Sequence, residues 1–145
     1  MRRAWAAGQS AEVRITGADV LRISAPLAAA VLDILAERGT PLGLTLDTRT
    51  RGTVEITVPA GTAASWPPLP GTRCVSDAVL RCPAPEVTTD HGPGSGGHAW
   101  TVPPTRTPYI TVTDADVLAE AVTVAHAHRC RSGAASPSSG PGGHA

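Results

Sequence analysis

The stretch Leu44-Thr45-Leu46-Asp47-Thr48-Arg49-Thr50-Arg51-Gly52-Thr53-Val54-Glu55-Ile56-Thr57-Val58 decides the fold. Two runs that alternate with period two flank a polar turn closed by glycine, the pattern of an antiparallel hairpin. In that register Val54, Ile56 and Val58 face a core, and Glu55 and Thr57 are expected in water.

Upstream, Ser24, Pro26 and Gly39 bracket a helix over 25–38. The serine offers an N-cap hydroxyl, the proline sits in the first turn where its missing N–H costs nothing, and the glycine follows the end. Leu27, Val31, Ile34 and Leu35 recur on one helical face, which packs on the sheet. Val13-Arg14-Ile15 and Val20-Leu21-Arg22-Ile23 read as strands on either side of Gly17.

Downstream, Pro59 stops the second hairpin strand, 60–66 permits a short helical turn, and Pro67-Pro68-Leu69-Pro70 forbids its continuation. Residues 73–75 and 79–82 are short strand candidates. The Pro and Gly clusters of 83–97 predict a long loop too flexible to pack. His98 to Val102 reads as a last strand with Trp100 inward, and 103–108 as an extended connector. Thr113 is expected to cap a final helix, with Asp116 as its reciprocal partner and Asp114 favoured by the helix dipole. That helix runs to about Arg131, burying Val117, Leu118, Ala121, Val124 and Ala125, with Arg129 and Arg131 complementing its C-terminus.

The order predicts an α+β (mixed α/β) fold, a single small antiparallel or mixed sheet of about five strands with two main helices packed on it. Residues 1–11 read as a flexible arm, 12–131 as one domain, and 132–145 as a disordered tail.

Composition narrows the function classes. The 145 residues include 24 alanines but no phenylalanine, lysine or asparagine, a bias typical of a GC-rich genome. Twelve arginines balance twelve acidic residues, so a general nucleic-acid binder, which needs clustered positive charge, is disfavoured. No stretch is apolar enough to span a bilayer or to form a signal-peptide core, which predicts a cytoplasmic protein with no membrane partner. Cys74, Cys82 and Cys130 are then expected as reduced thiols.

Candidate chemistry is sparse. Metal-assisted phosphate chemistry needs converging carboxylates, yet the position two after Asp47 is Arg49 and only Glu55, across the hairpin, remains. Cys74, Cys82, His91 and His98 are spaced too widely for a structural zinc site, although His126 and Cys130 lie one helical turn apart. No Gly-x-Ser-x-Gly elbow occurs, and the glycine run 92–97 lacks the lysine of a phosphate loop. Arg49 and Arg51 at the hairpin tip and Arg106 on the connector are the best candidates for an anion contact, because exposed guanidinium forks suit phosphate geometry. No catalytic residue, metal ligand or cofactor is expected.

Several stretches together carry a resemblance: Asp47-Thr48-Arg49 through Gly52, Val58-Pro59-Ala60-Gly61-Thr62-Ala63, Trp66, Leu69-Pro70-Gly71-Thr72, and Trp100-Thr101-Val102-Pro103-Pro104-Thr105-Arg106 followed by Thr113-Asp114-Ala115-Asp116-Val117-Leu118. They resemble small actinobacterial proteins of Streptomyces type, which look like shortened relatives of the N-terminal domain of bifunctional DNA primase/polymerases. The likeness runs over about 18–122 as pattern and order. It implies an α/β fold around a metal-binding catalytic sheet.

The departures bear on activity. Family members carry Trp-Asp before the first helix, where this chain has Ala18-Asp19, and an aromatic residue in the second hairpin strand, where 54–58 is aliphatic. The pattern also requires a carboxylate pair and a following histidine, whereas Asp47 stands alone and the first histidine is His91. The resemblance therefore implies a degenerate primase/polymerase-like module that has lost catalysis and works as a binding or accessory domain for a protein partner or nucleic acid. One alternative is a nucleic-acid-binding accessory protein using Arg49, Arg51 and Arg106, with Trp66 as a stacking surface. The other is a residual nucleotidyl-transfer enzyme on Asp47 and Glu55, which requires those carboxylates within about 5 Å.

Overall fold

Period-two segments pair into sheets, and their amphipathic helical neighbours cover them. The structure is a computed structural model that describes residues 11–48, 51–89, 98–104 and 111–135, the side chains of 131–135 excepted. Its elements are β1 (Ala11–Arg14), β2 (Ala18–Ser24), α1 (Ala25–Glu37), β3 (Thr45–Thr48), β4 (Thr53–Pro59), α2 (Thr62–Ser65), β5 (Thr72–Val75), β6 (Val79–Cys82), β7 (His98–Val102) and α3 (Ala115–Ala135). Five strands form an antiparallel sheet in the order β5-β2-β4-β3-β7, and β1 pairs with β6 in a separate antiparallel ribbon. This is the expected α+β sheet with two main helices, to which the ribbon adds a further layer.

Alternation along the central strands sorts their side chains onto two faces. One face presents Leu21, Ile23, Val54, Ile56 and Val58 to Leu27, Val31 and Leu35 of α1 and to Leu118, Ala121, Val122 and Ala125 of α3. On the other, Val20, Leu46 and Trp100 pack with Ile15, Leu80 and Cys82 of the ribbon side. Each fully buried aliphatic side chain contributes roughly 1.5–3 kcal/mol relative to exposure. Both faces of the sheet thus carry a buried apolar core.

That second layer corrects one expectation directly. Glu55 and Thr57 do not face water: they are 4% and 1% exposed. The alternation of β4 separates its two faces, but what covers the second comes from distant parts of the chain: the ribbon-side core near Glu55, and the segments at Leu44 and Thr111 that bond the Thr57 hydroxyl.

Several local features also differ from the expectation. Ser24 stands at the N-cap of α1 without a side-chain cap bond, and the Ala25 N–H donates instead to the Gly52 carbonyl at 2.8 Å. At α3 the capping oxygen belongs to Asp114, which accepts from the Val117 N–H at 3.0 Å. Thr113 is fully buried, and its hydroxyl accepts from the Gly43 N–H at 2.8 Å, tying the helix entry to the approach of β3. Gly43 has no room for a side chain there, since a Cβ would meet the Thr111 carbonyl oxygen and the Val112 Cα at 2.6 Å. In α3 Val122, not Val124, completes the buried stripe, and the helix runs four residues past Arg131.

The long loop is partly packed. The Val87 carbonyl accepts from the Trp100 N–H at 2.8 Å, and the Pro83 carbonyl from its indole Nε1–H at 3.0 Å. The remainder of that loop at 90–97, most of the connector at 105–110, the arm at 1–10 and the tail at 136–145 lie outside the described residues. No described helix is long and apolar enough to cross a membrane.

Candidate functional site

Strand pairing assembles a polar row that no single segment contains. Glu55 lies opposite Arg22 on β2 and opposite Leu46 on β3, so Arg22, Glu55 and Thr48 project from the ribbon-side face. Thr48 in turn lies opposite His98 on β7. Arg22 Nε donates to Glu55 Oε2 at 2.9 Å, and the Thr48 hydroxyl donates to Oε1 at 3.0 Å. His98 Nδ1 stands 3.4 Å from the same hydroxyl oxygen. A hydroxyl has one hydrogen, so with it directed at Glu55 the contact requires Nδ1–H on the imidazole. Thr53, opposite both Ser24 and Thr48, keeps a buried hydroxyl with no hydrogen-bond partner among the described residues.

His98 is 7% exposed. Burial holds its pKa below the ordinary 6.5; the Glu55 carboxylate opposes that shift, and Arg81 and Arg51 reinforce it. As pH falls through 6.5 the unfolded chain takes up a proton that the folded chain resists. His98 therefore contributes stability that is complete above about pH 6.5 and is lost as pH falls through its lowered value in the fold. The urea midpoint is expected to drop between pH 7.5 and pH 5.5, and His98→Gln to flatten that limb. An unchanged slope in the variant would assign the acid sensitivity elsewhere.

The row opens at Arg22 into a cleft of about 360 Å³ between the main sheet and the ribbon. Arg22, Arg51 and Arg81 line it together with Glu12, Ser76 and Asp77. Arg81 reaches Glu12 at 3.5 Å, with both side chains more than half exposed, a contact worth little in water. Arg51 and Asp77 make no ion pair with any described residue.

Of the residues singled out in the sequence, Arg51 is thus joined by two arginines that sequence reasoning missed. Trp66 lies elsewhere: it packs against the helix-side core and donates its indole N–H to the Thr72 hydroxyl at 3.0 Å. Arg49 and Arg106 lie outside the described residues. The signal for Arg22 was a lone charge inside the apolar run Val20–Ile23, legible as a site only once its cross-strand partner is known.

The two hairpin carboxylates do not meet. Asp47 lies opposite Val54 and Glu55 opposite Leu46, so they project from opposite faces of the sheet. Asp19, the other buried carboxylate among the described residues, accepts from the Gly61 and Ala63 N–H groups and caps α2. His126 donates Nε2–H to the Pro70 carbonyl at 2.6 Å, clipping α3 to the loop before β5. Among the described residues no three His, Cys, Asp or Glu side chains gather as metal ligands.

The cysteines are separated as well. Cys74 pairs in register with Leu21 on the helix side, while Cys82 belongs to the ribbon-side core. A disulfide requires Cα atoms within about 7 Å, which packing on opposite sides of a sheet prevents. Burial pushes the Cys74 thiol up to about 11, with Asp19 adding to it, and the Cys82 thiol to about 12, with Glu55 adding. At pH 8 that leaves on the order of one thiolate in a thousand or fewer at either site. A bulky disulfide reagent at pH 8 is expected to label exposed Cys130 first, half-buried Cys74 more slowly and buried Cys82 only after unfolding. Three equal fast phases would contradict this burial.

No family model, no curated protein and no solved structure matches the chain.

Proposed function

We propose that this chain is a non-catalytic cytoplasmic module, primase/polymerase-like in pattern, that works by binding an anionic partner on the ribbon side of its sheet. The observation that carries this reading is the state of Glu55. The carboxylate that a nucleotidyl-transfer site would need beside Asp47 projects from the other face and is held by Arg22 and Thr48. What that bond positions is a cation at a cleft mouth. A cytoplasmic setting is supported by the placement of Cys74 and Cys82 against different cores, too far apart to pair with each other.

A primer-synthesis assay with magnesium or manganese tests the reading. No product is expected; activity abolished by Asp47→Ala would overturn it. The accessory nucleic-acid reading draws on the same arginines, and it requires binding that weakens with salt and with their replacement.

A further inference from the structure

We infer that the cleft lined by Arg22, Arg51 and Arg81 is a binding site for a phosphomonoester whose carbon skeleton carries hydroxyl groups. The inference rests on the binding-module reading and names its ligand. Arg22 enters the cleft pre-oriented, because Glu55 fixes its Nε at 2.9 Å and so leaves its terminal NH2 groups for a ligand. Among the described residues Arg51 makes no ion pair, and the one ion pair of Arg81 is an exposed 3.5 Å contact. Two of the three cations can therefore turn to a ligand at little cost. Three guanidinium forks around one space match a group with three terminal oxygens, and charge-assisted bonds of this kind are the strong ones.

The rim narrows the class further. Asp77 and Glu12 repel a second anionic group and accept hydrogen bonds from hydroxyls. That arrangement disfavours a continuous polyanion lying through the cleft. A volume of about 360 Å³ is at the small end of ligand sites and suits one phosphorylated sugar unit. Such a unit occurs as a free sugar phosphate or as the phosphorylated 5′ end of a nucleic acid, and the cleft chemistry is common to both.

Isothermal titration calorimetry on the full chain, at low salt and pH 7.5, tests the site with ribose 5-phosphate, ribose, and one oligodeoxynucleotide with and without a 5′-phosphate. Ribose 5-phosphate is expected to bind and ribose not to. Arg51→Ala and Arg81→Ala, both at exposed positions, are each expected to weaken binding about tenfold, while Arg129→Ala on α3 leaves it unchanged. Tighter binding of the 5′-phosphorylated oligonucleotide than of ribose 5-phosphate identifies a chain end as the source. Equal or weaker binding identifies a free metabolite. Phosphate-independent binding, no binding, or binding indifferent to both cleft variants overturns the inference. Primer synthesis by a protein that passes these tests would sink the non-catalytic reading and leave the cleft standing.

Discussion

Arg22→Ala is expected to destabilise the protein by about 3 kcal/mol, because breaking a buried ion pair strands the remaining charge. Glu55 is 4% exposed, and without Arg22 the Thr48 hydroxyl alone among the described residues remains bonded to it. Arg22 itself is 29% exposed, which places the effect at the lower end of the range for buried pairs. Removing both charges with apolar groups of similar length, as in Arg22→Met with Glu55→Leu, is expected to recover most of the loss, since no charge is stranded and the Thr48 hydroxyl can turn to His98 Nδ1 in its other tautomer. Urea midpoints at pH 7 for the single and double variants form the test. If Arg22→Ala costs no more than an ordinary surface substitution, the row does not organise this face. Recovered stability without ribose 5-phosphate binding is the companion result, because the double variant keeps the fold and loses the positioned cation.

Trp100→Ala is expected to cost about 4 kcal/mol, the range for deleting a large buried aromatic side chain. Trp100 is 2% exposed and fills the ribbon-side core beside Leu46, which it meets in register. Its indole also holds the Pro83 carbonyl, so deletion leaves that acceptor unpaired. The thermal midpoint should fall, and limited proteolysis should cut within 83–89 before any other described segment. Trp100→Phe keeps most of the volume and loses the N–H, so it is expected to fall between the two. A wild-type cleavage pattern in Trp100→Ala would show that the backbone bond from Trp100 to Val87 holds this segment without the indole.

Local signals were legible wherever one segment carries its own period. The hairpin of β3 and β4 and the helix α1 follow from alternation and from Pro26 and Gly39, and they form within a residue or so of the expected bounds. Fine partners were less legible, because several residues offered the same chemistry. Asp114 and Thr113 both carry a capping oxygen, and Gly43, some 70 positions away, takes the threonine.

The site was hidden for the same reason on a larger scale. Arg22 and Glu55 are 33 positions apart, and Thr48 and His98 are 50 apart. Nothing local marks Arg22, Glu55 and His98 as one group until β2, β4, β3 and β7 are placed in order. Burial of Glu55 also depends on β1 pairing with β6 across most of the described chain. Of the expected anion contacts Arg51 lines the cleft and Arg49 and Arg106 lie outside the described residues; a turn-tip charge reveals exposure but not what stands beside it.

Titration with manganese followed by electron paramagnetic resonance tests most directly whether the hairpin carboxylates are kept apart. With Asp47 and Glu55 on opposite faces, the free-ion signal is expected to grow in proportion to added metal, with any site weaker than about 1 mM. Stoichiometric uptake of one ion, abolished by both Asp47→Asn and Glu55→Gln, would contradict the placement of every residue in the row.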